Sequence, residues 1–231
     1  MRPSHKPFNY IIYAPVLIEY KMPNYFHERL YRSAELMARM HTFPITLCGG
    51  GAVGGNLAEN MARAGFSTLK VIDCDRVEER NLSTQPFYRS DIGAHKATIL
   101  ANSLYRALNI NIEPSVTKLT THNVKKLLKG SKLVIDGFDN SIARSAVSKY
   151  CSATNLPCLH VGLASDYAEI IWNDEYRVPS ATQDDICDYP LARNLVLLTV
   201  AVAGEAIIAF VKDGTKRSLT VTLQDFAVRA F

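Results

Sequence analysis

A run of glycines set between an apolar strand and a helix-forming stretch constrains this chain more than any other feature. Ile45–Cys48 is short and apolar and leads into Gly49-Gly50-Gly51-Ala52-Val53-Gly54-Gly55, after which a helical pattern opens at about Asn56. A second apolar strand, Leu69–Ile72, ends on Asp73. Glycines let the backbone approach a phosphate closely, and the start of the following helix offers unpaired N–H groups and the positive end of its dipole. Gly49-x-Gly51-x-x-Gly54 therefore fits a nucleotide-binding β-turn-α unit, with Asp73 where an acid bonds a ribose hydroxyl. Alone, such a loop does not say which nucleotide, and a tight turn without a ligand uses the same residues.

Strands and helices alternate from there: strand 45–48, helix 56–65, strand 69–72, helix 94–108, extended 111–116, helix 121–128, strand 132–136, helix 141–154, strand 158–163. This is the pattern of an α/β fold, a Rossmann-like, mostly parallel sheet with helices on both faces. The pattern then changes. Residues 159–163 and 168–172 read as strands around a turn at Ser165-Asp166, 173–188 as a polar loop, 191–212 as a long apolar helix and 218–230 as an antiparallel closing strand. Ahead of the sheet, 8–19 reads as extended and 24–41 as a helix with Leu30, Leu36, Met37 and Met40 on its apolar face. The expected division is an N-terminal segment, 1–43, serving dimerisation, and a nucleotide-binding domain, 44–231.

Composition narrows the classes. The net charge of +4 is mild and the basic residues are scattered, which argues against nucleic acid as a partner. Residues 1–7 are polar and basic, and the apolar stretch 11–18 is short and interrupted by Tyr13 and Pro15, which is not the layout of a signal peptide. The apolar stretch 195–211 contains Glu205 and falls short of the roughly 20 residues of a membrane span, so a helix buried in protein is expected, with no membrane partner. The five cysteines, Cys48, Cys74, Cys151, Cys158 and Cys187, form no C-x-x-C pair and no disulfide framework; reduced thiols in a cytoplasmic protein are the simplest account. Four of them fall in strand or helix patterns and read as small core residues, whereas Cys187 lies among Asp184, Asp185, Asp188 and Pro190 in an exposed loop.

Three further clusters fall at strand carboxyl ends, where open α/β sheets bind ligands. Asp73 and Asp75 flank one residue, so in an extended segment they point the same way, Asp73 toward ribose and Asp75 toward a cation or basic residue. Asp91-Ile92-Gly93-Ala94-His95-Lys96 places a lysine in the first turn of a helix, where it can neutralise phosphate charge. Asp136-Gly137-Phe138-Asp139-Asn140, with Arg144 one turn later, places Asp139 to hold a magnesium ion bridging phosphates. Each has a plainer reading: Asp139 and Asn140 as a helix N-cap, Lys96 as a solvated helix residue.

The order Gly-x-Gly-(x)₂-Gly, Asp-x-Asp-x-Val-(x)₃-Asn-Leu-(x)₂-Gln, Asp-Ile-Gly-(x)₂-Lys and Asp-(x)₂-Asp-Asn-(x)₃-Arg resembles the E1-like adenylating enzymes, which include the thiamine and molybdenum-cofactor adenylyltransferases and the ubiquitin-activating enzymes. The resemblance runs from about residue 44 to 163 and more loosely to the last strand. It implies ATP and Mg²⁺ as cofactors. Gly49, Gly51 and Gly54 would line the phosphates, with Asp75, Asn81, Gln85 and Asn140 beside the nucleotide. Asp73 would bind the ribose, Lys96 would contact the phosphates, and Asp139 would hold the metal. It also implies the reaction: attack of a partner protein's C-terminal carboxylate on the α-phosphorus of ATP, the partner being a small ubiquitin-like or sulfur-carrier protein, on a homodimer.

The chain departs from that pattern in specific places. Thr84 stands where relatives usually carry a phosphate-contacting arginine, and Arg80 or Arg89 is the expected substitute. Ala52 replaces the second glycine of the usual pair, and the zinc-binding cysteine pairs are missing. Arg29 and Arg32 are candidates for an arginine acting across a dimer interface, or for a solvated helix face. Cys187 lies where some relatives form a thioester with the activated carboxyl, although its acidic neighbours oppose thiolate formation. Three alternatives stay open: an adenylating enzyme for another carboxylate or carbonyl, such as a modified tRNA base or a peptide; a non-catalytic half of a heterodimeric activating enzyme, which Thr84 favours; and an NAD-dependent oxidoreductase, which leaves Lys96 and Asp139 without a role.

Overall fold

The computed structural model describes residues 23–179 and 190–231. The extended segment expected over 8–19 and the loop position Cys187 lie outside the described residues.

Among the described residues eight strands form one sheet: β1 (Ile45–Cys48), β2 (Leu69–Ile72), β3 (Glu113–Ser115), β4 (Leu133–Asp136), β5 (Cys158–Ala164), β6 (Tyr167–Trp172), β7 (Leu219–Thr222) and β8 (Val228–Ala230). Their order is β3-β2-β1-β4-β5-β6-β7-β8. The first five run parallel and the last three are added antiparallel. The Rossmann-like reading with an antiparallel extension holds. One correction falls at its end: the expected single strand over 218–230 is the hairpin β7–β8, broken where Phe226 adopts φ +55°.

Among the described residues seven α-helices accompany the strands: α1 (Phe26–Tyr31), α2 (Ala34–Thr42), α3 (Ala52–Ala64), α4 (Lys96–Leu108), α5 (Val124–Leu127), α6 (Ser141–Thr154) and α7 (Arg193–Asp213). The central parallel strands β1, β2 and β4 bury both faces, as sheets covered on two sides do, while β3 at the edge is exposed. Leu47, Val71, Ile135 and Leu159 join one core with α3, α4 and α7, while Cys48, Ile72, Val134 and Cys158 join a second with α5 and α6. Helix α7 is long and apolar enough to cross a membrane, and here much of it is buried against α3 and the antiparallel strands. Met37 and Met40 of α2 are buried in the first of these cores.

Local chemistry explains the boundaries that differ from expectation. The helix expected over 24–41 is split between α1 and α2, because Ser33 is extended and its side chain caps α2 by accepting the Leu36 N–H at 3.2 Å. Ser33→Ala is expected to cost about 1 kcal/mol, read as a lower urea midpoint with an unchanged slope. Helix α3 begins at Ala52, inside the glycine run, rather than at Asn56. Cys74 is exposed just beyond β2, not a core residue, whereas Cys48, Cys151 and Cys158 are buried as expected.

Candidate nucleotide site

Sequence order reverses between β1 and β4, the position where open α/β sheets leave a crevice for ligands. The register brings Cys48 level with Ile72 and Asp136, so the chains leaving β1, β2 and β4 emerge side by side. The first turn beyond them is tied across: Gly49 N–H donates to the Ile72 carbonyl at 2.9 Å, and Gly137 N–H to the Cys48 carbonyl at 2.9 Å.

Two glycines of the motif are there for steric reasons. Gly49 has φ +100°, and a Cβ on it would stand 3.0 Å from the Gly137 carbonyl oxygen. A Cβ on Gly54 would lie 1.9 Å from the Gly49 carbonyl oxygen. The first turn of α3 can therefore fold tightly back on the loop, which is why the helix starts so early despite its glycines. A Cβ on Gly51 meets nothing closer than the Gln85 amide at 3.9 Å, so this side of the turn is open. Such a cradle, closed beneath and open above at a helix start, fits phosphate oxygens.

Asp73 is buried, and both carboxylate oxygens accept backbone donors: Gly50 N–H at 2.6 Å and Asp75 N–H at 2.7 Å. Burial raises its pKa, outweighing these donors and the nearby Lys96 charge. Each oxygen keeps a second lone pair for a ribose hydroxyl. Asp75 meets a basic residue as expected, since Lys96 Nζ lies 3.4 Å from its Oδ2. Lys96 opens α4 and is itself buried, its N–H donating to the Asp75 carbonyl at 3.0 Å.

Other expected site residues have structural duties. Asn81 accepts the Glu78 N–H at 2.9 Å through its side chain. Asn140 caps α6, accepting the Ala143 N–H at 2.9 Å. Arg80 pairs with Glu78 at 2.6 Å and Arg89 with Glu79 at 3.4 Å. Arg32 is drawn inward, joining Glu28 at 2.6 Å to Glu205 of α7 at 2.5 Å, so it is committed within its own chain. Asp139 is exposed at the end of β4. Among the described residues no three acidic or imidazole and thiol groups gather as a metal site. A magnesium ion bound through Asp139 would take its remaining ligands from phosphates and water, the usual arrangement for that ion.

Beneath Asp139 lies a buried network that the sequence does not announce. Asp136 Oδ1 accepts the Phe138 N–H at 3.2 Å, and Arg144 Nε donates to the Phe138 carbonyl at 2.5 Å. Both backbone groups of the residue before Asp139 are thus held by buried charges. His160 Nδ1 donates to Asp136 Oδ2 at 2.8 Å, and its Nε2 lies 2.8 Å from the Asn173 side-chain oxygen. Tyr176 stacks on His160 with ring centroids 3.7 Å apart and accepts from Arg144 at 3.0 Å. Burial works to raise the Asp136 pKa, but the Arg144 charge and the His160 bond hold it below the ordinary carboxylate value. An open groove of about 670 Å³ lies elsewhere, beside Lys129, Lys132 and Pro157 at the amino ends of β4 and β5. The strand-end chemistry, not concavity, marks the nucleotide site.

A family model for the ThiF family matches residues 27–182, more than half of the chain. The chain belongs to the ThiF family. The SAMP-activating enzyme E1 of Haloferax volcanii is 30% identical over 129 residues, covering 54% of this ThiF-family chain and 47% of that protein. The sulfur carrier protein ThiS adenylyltransferase of Bacillus subtilis is 30% identical over 125 residues, covering 52% and 37%. The chain thus spans less than half the length of these curated relatives. Among solved structures, Escherichia coli MccB with ATP superposes with a TM-score of 0.75 at 17% identity, covering 92% of this chain and 72% of that one. Escherichia coli tRNA N6-threonylcarbamoyladenosine dehydratase, TcdA, gives 0.71 at 18%, covering 82% and 94%. These neighbours share the Rossmann-like fold.

Proposed function

We propose that this ThiF-family chain adenylates the C-terminal carboxylate of a small ubiquitin-like or sulfur-carrier protein, with ATP and Mg²⁺, in the cytoplasm. The observation that carries the reading is the phosphate cradle of Gly49, Gly51 and Gly54 with Lys96 and Asp139 at the neighbouring strand ends. Relatives named for activating SAMP and ThiS support the substrate class.

In the reaction a carboxylate oxygen of the carrier bonds to the α-phosphorus of ATP while the bond to the bridging oxygen breaks, giving an acyl-adenylate and pyrophosphate. The chain supplies alignment and charge. The glycine turn orients the phosphates, Asp73 fixes the ribose, and Lys96 offsets negative charge as the oxygens crowd the α-phosphorus. Asp139 would hold magnesium, which when bound would supply positive charge to the phosphates. Thioester formation on Cys187 would follow as a second step, the thiolate displacing AMP from the adenylate.

A homodimer belongs to the same proposal. Phe26, Leu30 and Tyr31 of α1 and Leu197 of α7 are exposed apolar side chains, and the Arg32–Glu205 pair joins these two helices. A non-catalytic half of a heterodimer is the second reading, favoured by the uncharged Thr84.

ATP–pyrophosphate exchange tests the proposal. With carrier proteins ending in glycine, exchange is expected for the parent and expected to fall about a hundredfold in Lys96→Ala and Asp139→Ala, the scale of losing one transition-state charge contact. Exchange that survives both substitutions refutes the site. No exchange with any carrier, alone or with a partner subunit, refutes the activity, and exchange only with a partner subunit selects the second reading.

A further inference from the structure

Arg193 touches the segment beside the glycine turn from a distant part of the chain. The segment 83–85 lies against the first turn of α3. The Asn56 side-chain amide donates both to the Ala52 carbonyl at 2.7 Å and to the Thr84 carbonyl at 2.8 Å, and the Gln85 amide stands over Gly51. This segment therefore forms one wall of the cradle, and it carries no cation of its own: Ser83, Thr84 and Gln85 are neutral. Gln85 Oε1, in the same wall, is buried and has no hydrogen-bond partner. An amide oxygen accepts, so this atom calls for an N–H or O–H donor, which a guanidinium drawn to the wall supplies and a phosphate does not.

Arg193, the first residue of α7, touches this wall through a long contact, Nη1 to the Ser83 carbonyl at 3.4 Å. Among the described residues it pairs with no carboxylate, and that one contact leaves most of its five N–H donors unspent. Arg80 and Arg89 lie in ion pairs with Glu78 and Glu79, and Lys96 shares its charge with Asp75. A triphosphate on the open side of the glycine turn needs more positive charge than Lys96 supplies. A guanidinium offers the planar fork that matches phosphate oxygens.

We propose that Arg193 is a phosphate-binding residue of the nucleotide site, recruited from α7 to a wall whose own residues are uncharged. The inference rests on the nucleotide reading above. In that role Arg193 also links nucleotide binding to the helix that follows residues 180–189.

Calorimetric titration of the full chain with ATP and with adenosine tests this directly. Arg193→Ala is expected to weaken ATP about tenfold or more, the scale of one charge-assisted bond, and to leave adenosine unchanged. Arg193→Lys should recover part of the loss, because the charge stays and the fork is gone. Arg229→Ala, which removes a cation paired with Asp225 on the β7–β8 hairpin, should behave as the parent. The affinity ratio of ATP to adenosine is the deciding quantity, since general destabilisation lowers both together; should Arg193→Ala not fold, the same ratio in Arg193→Lys decides. A ratio within twofold of the parent overturns the role of Arg193 and leaves the nucleotide reading intact. A parent chain that binds no ATP overturns that reading and this inference with it.

Discussion

Arg144→Ala is expected to destabilise the folded chain by about 3–5 kcal/mol, the cost of stranding a buried charge by removing its partner. Arg144 is buried, and its three donor nitrogens go to the Phe138 carbonyl, the Tyr176 hydroxyl and the Val161 carbonyl. Its charge is also the main influence opposing the burial of Asp136. The pH dependence has a definite sign. In the parent, the Asp136 pKa is lower folded than unfolded, so its contribution is fully present above the ordinary carboxylate value and lost as pH falls through the folded one. The variant lacks much of that contribution. The gap between parent and variant should therefore be widest near neutrality and narrow below about pH 4. Urea unfolding at neutral and acid pH measures it; an equal gap at both, or a neutral-pH loss under about 1 kcal/mol, contradicts the assignment.

The second large effect belongs to Gly54. A Cβ there would stand 1.9 Å from the Gly49 carbonyl oxygen, so in Gly54→Ala either the loop or the first turn of α3 must move. Overpacking of this kind costs about 1–3 kcal/mol and sometimes more. Because backbone rather than a flexible side chain is displaced, the upper end is expected. ATP binding should be lost as well, since the N–H groups of the turn shift with the backbone. Gly51→Ala is the contrasting case: its Cβ has its nearest neighbour at 3.9 Å, so stability should stay within about 0.5 kcal/mol. The added methyl nevertheless fills the open side of the turn, and ATP should bind more weakly. Thermal unfolding with and without ATP separates the two variants. Equal behaviour in that comparison would mean that the cradle is not where the phosphates lie.

The parallel half of the sheet was legible in the sequence because each strand and its following turn is a local pattern. Gly49, Asp73, Lys96 and Asp139 stand out as candidates by that logic, and the structure brings their elements to one edge. What escaped notice depends on pairs far apart in the chain. His160 looks like one more residue in an apolar strand, and nothing near it discloses Asp136, Asn173 or Tyr176 as its neighbours. Arg193 and Ser83 are likewise joined only by the fold. Arg32 reads as a surface cation until Glu205 of α7 is placed beside it. The early start of α3 was missed because glycine disfavours helix, and here close backbone packing outweighs that propensity. Cys74 was misread because β2 ends at Ile72, and the chain then turns outward around the Asp73 carboxylate.

The cradle spans β1 and β4, whose partners Ile45 and Leu133 are distant in sequence, whereas β5 and β6 meet through the turn at Ser165 and Asp166. Closing a long loop costs more entropy than closing a short one, so the hairpin is expected to form before the β1–β4 seam. Gly49 and Gly137 face each other only across that seam. A partly folded chain holding the hairpin alone would have no phosphate cradle. Nucleotide would then add its binding energy to the completed chain and to none of its precursors, holding finished protein against reopening of the seam without speeding its closure.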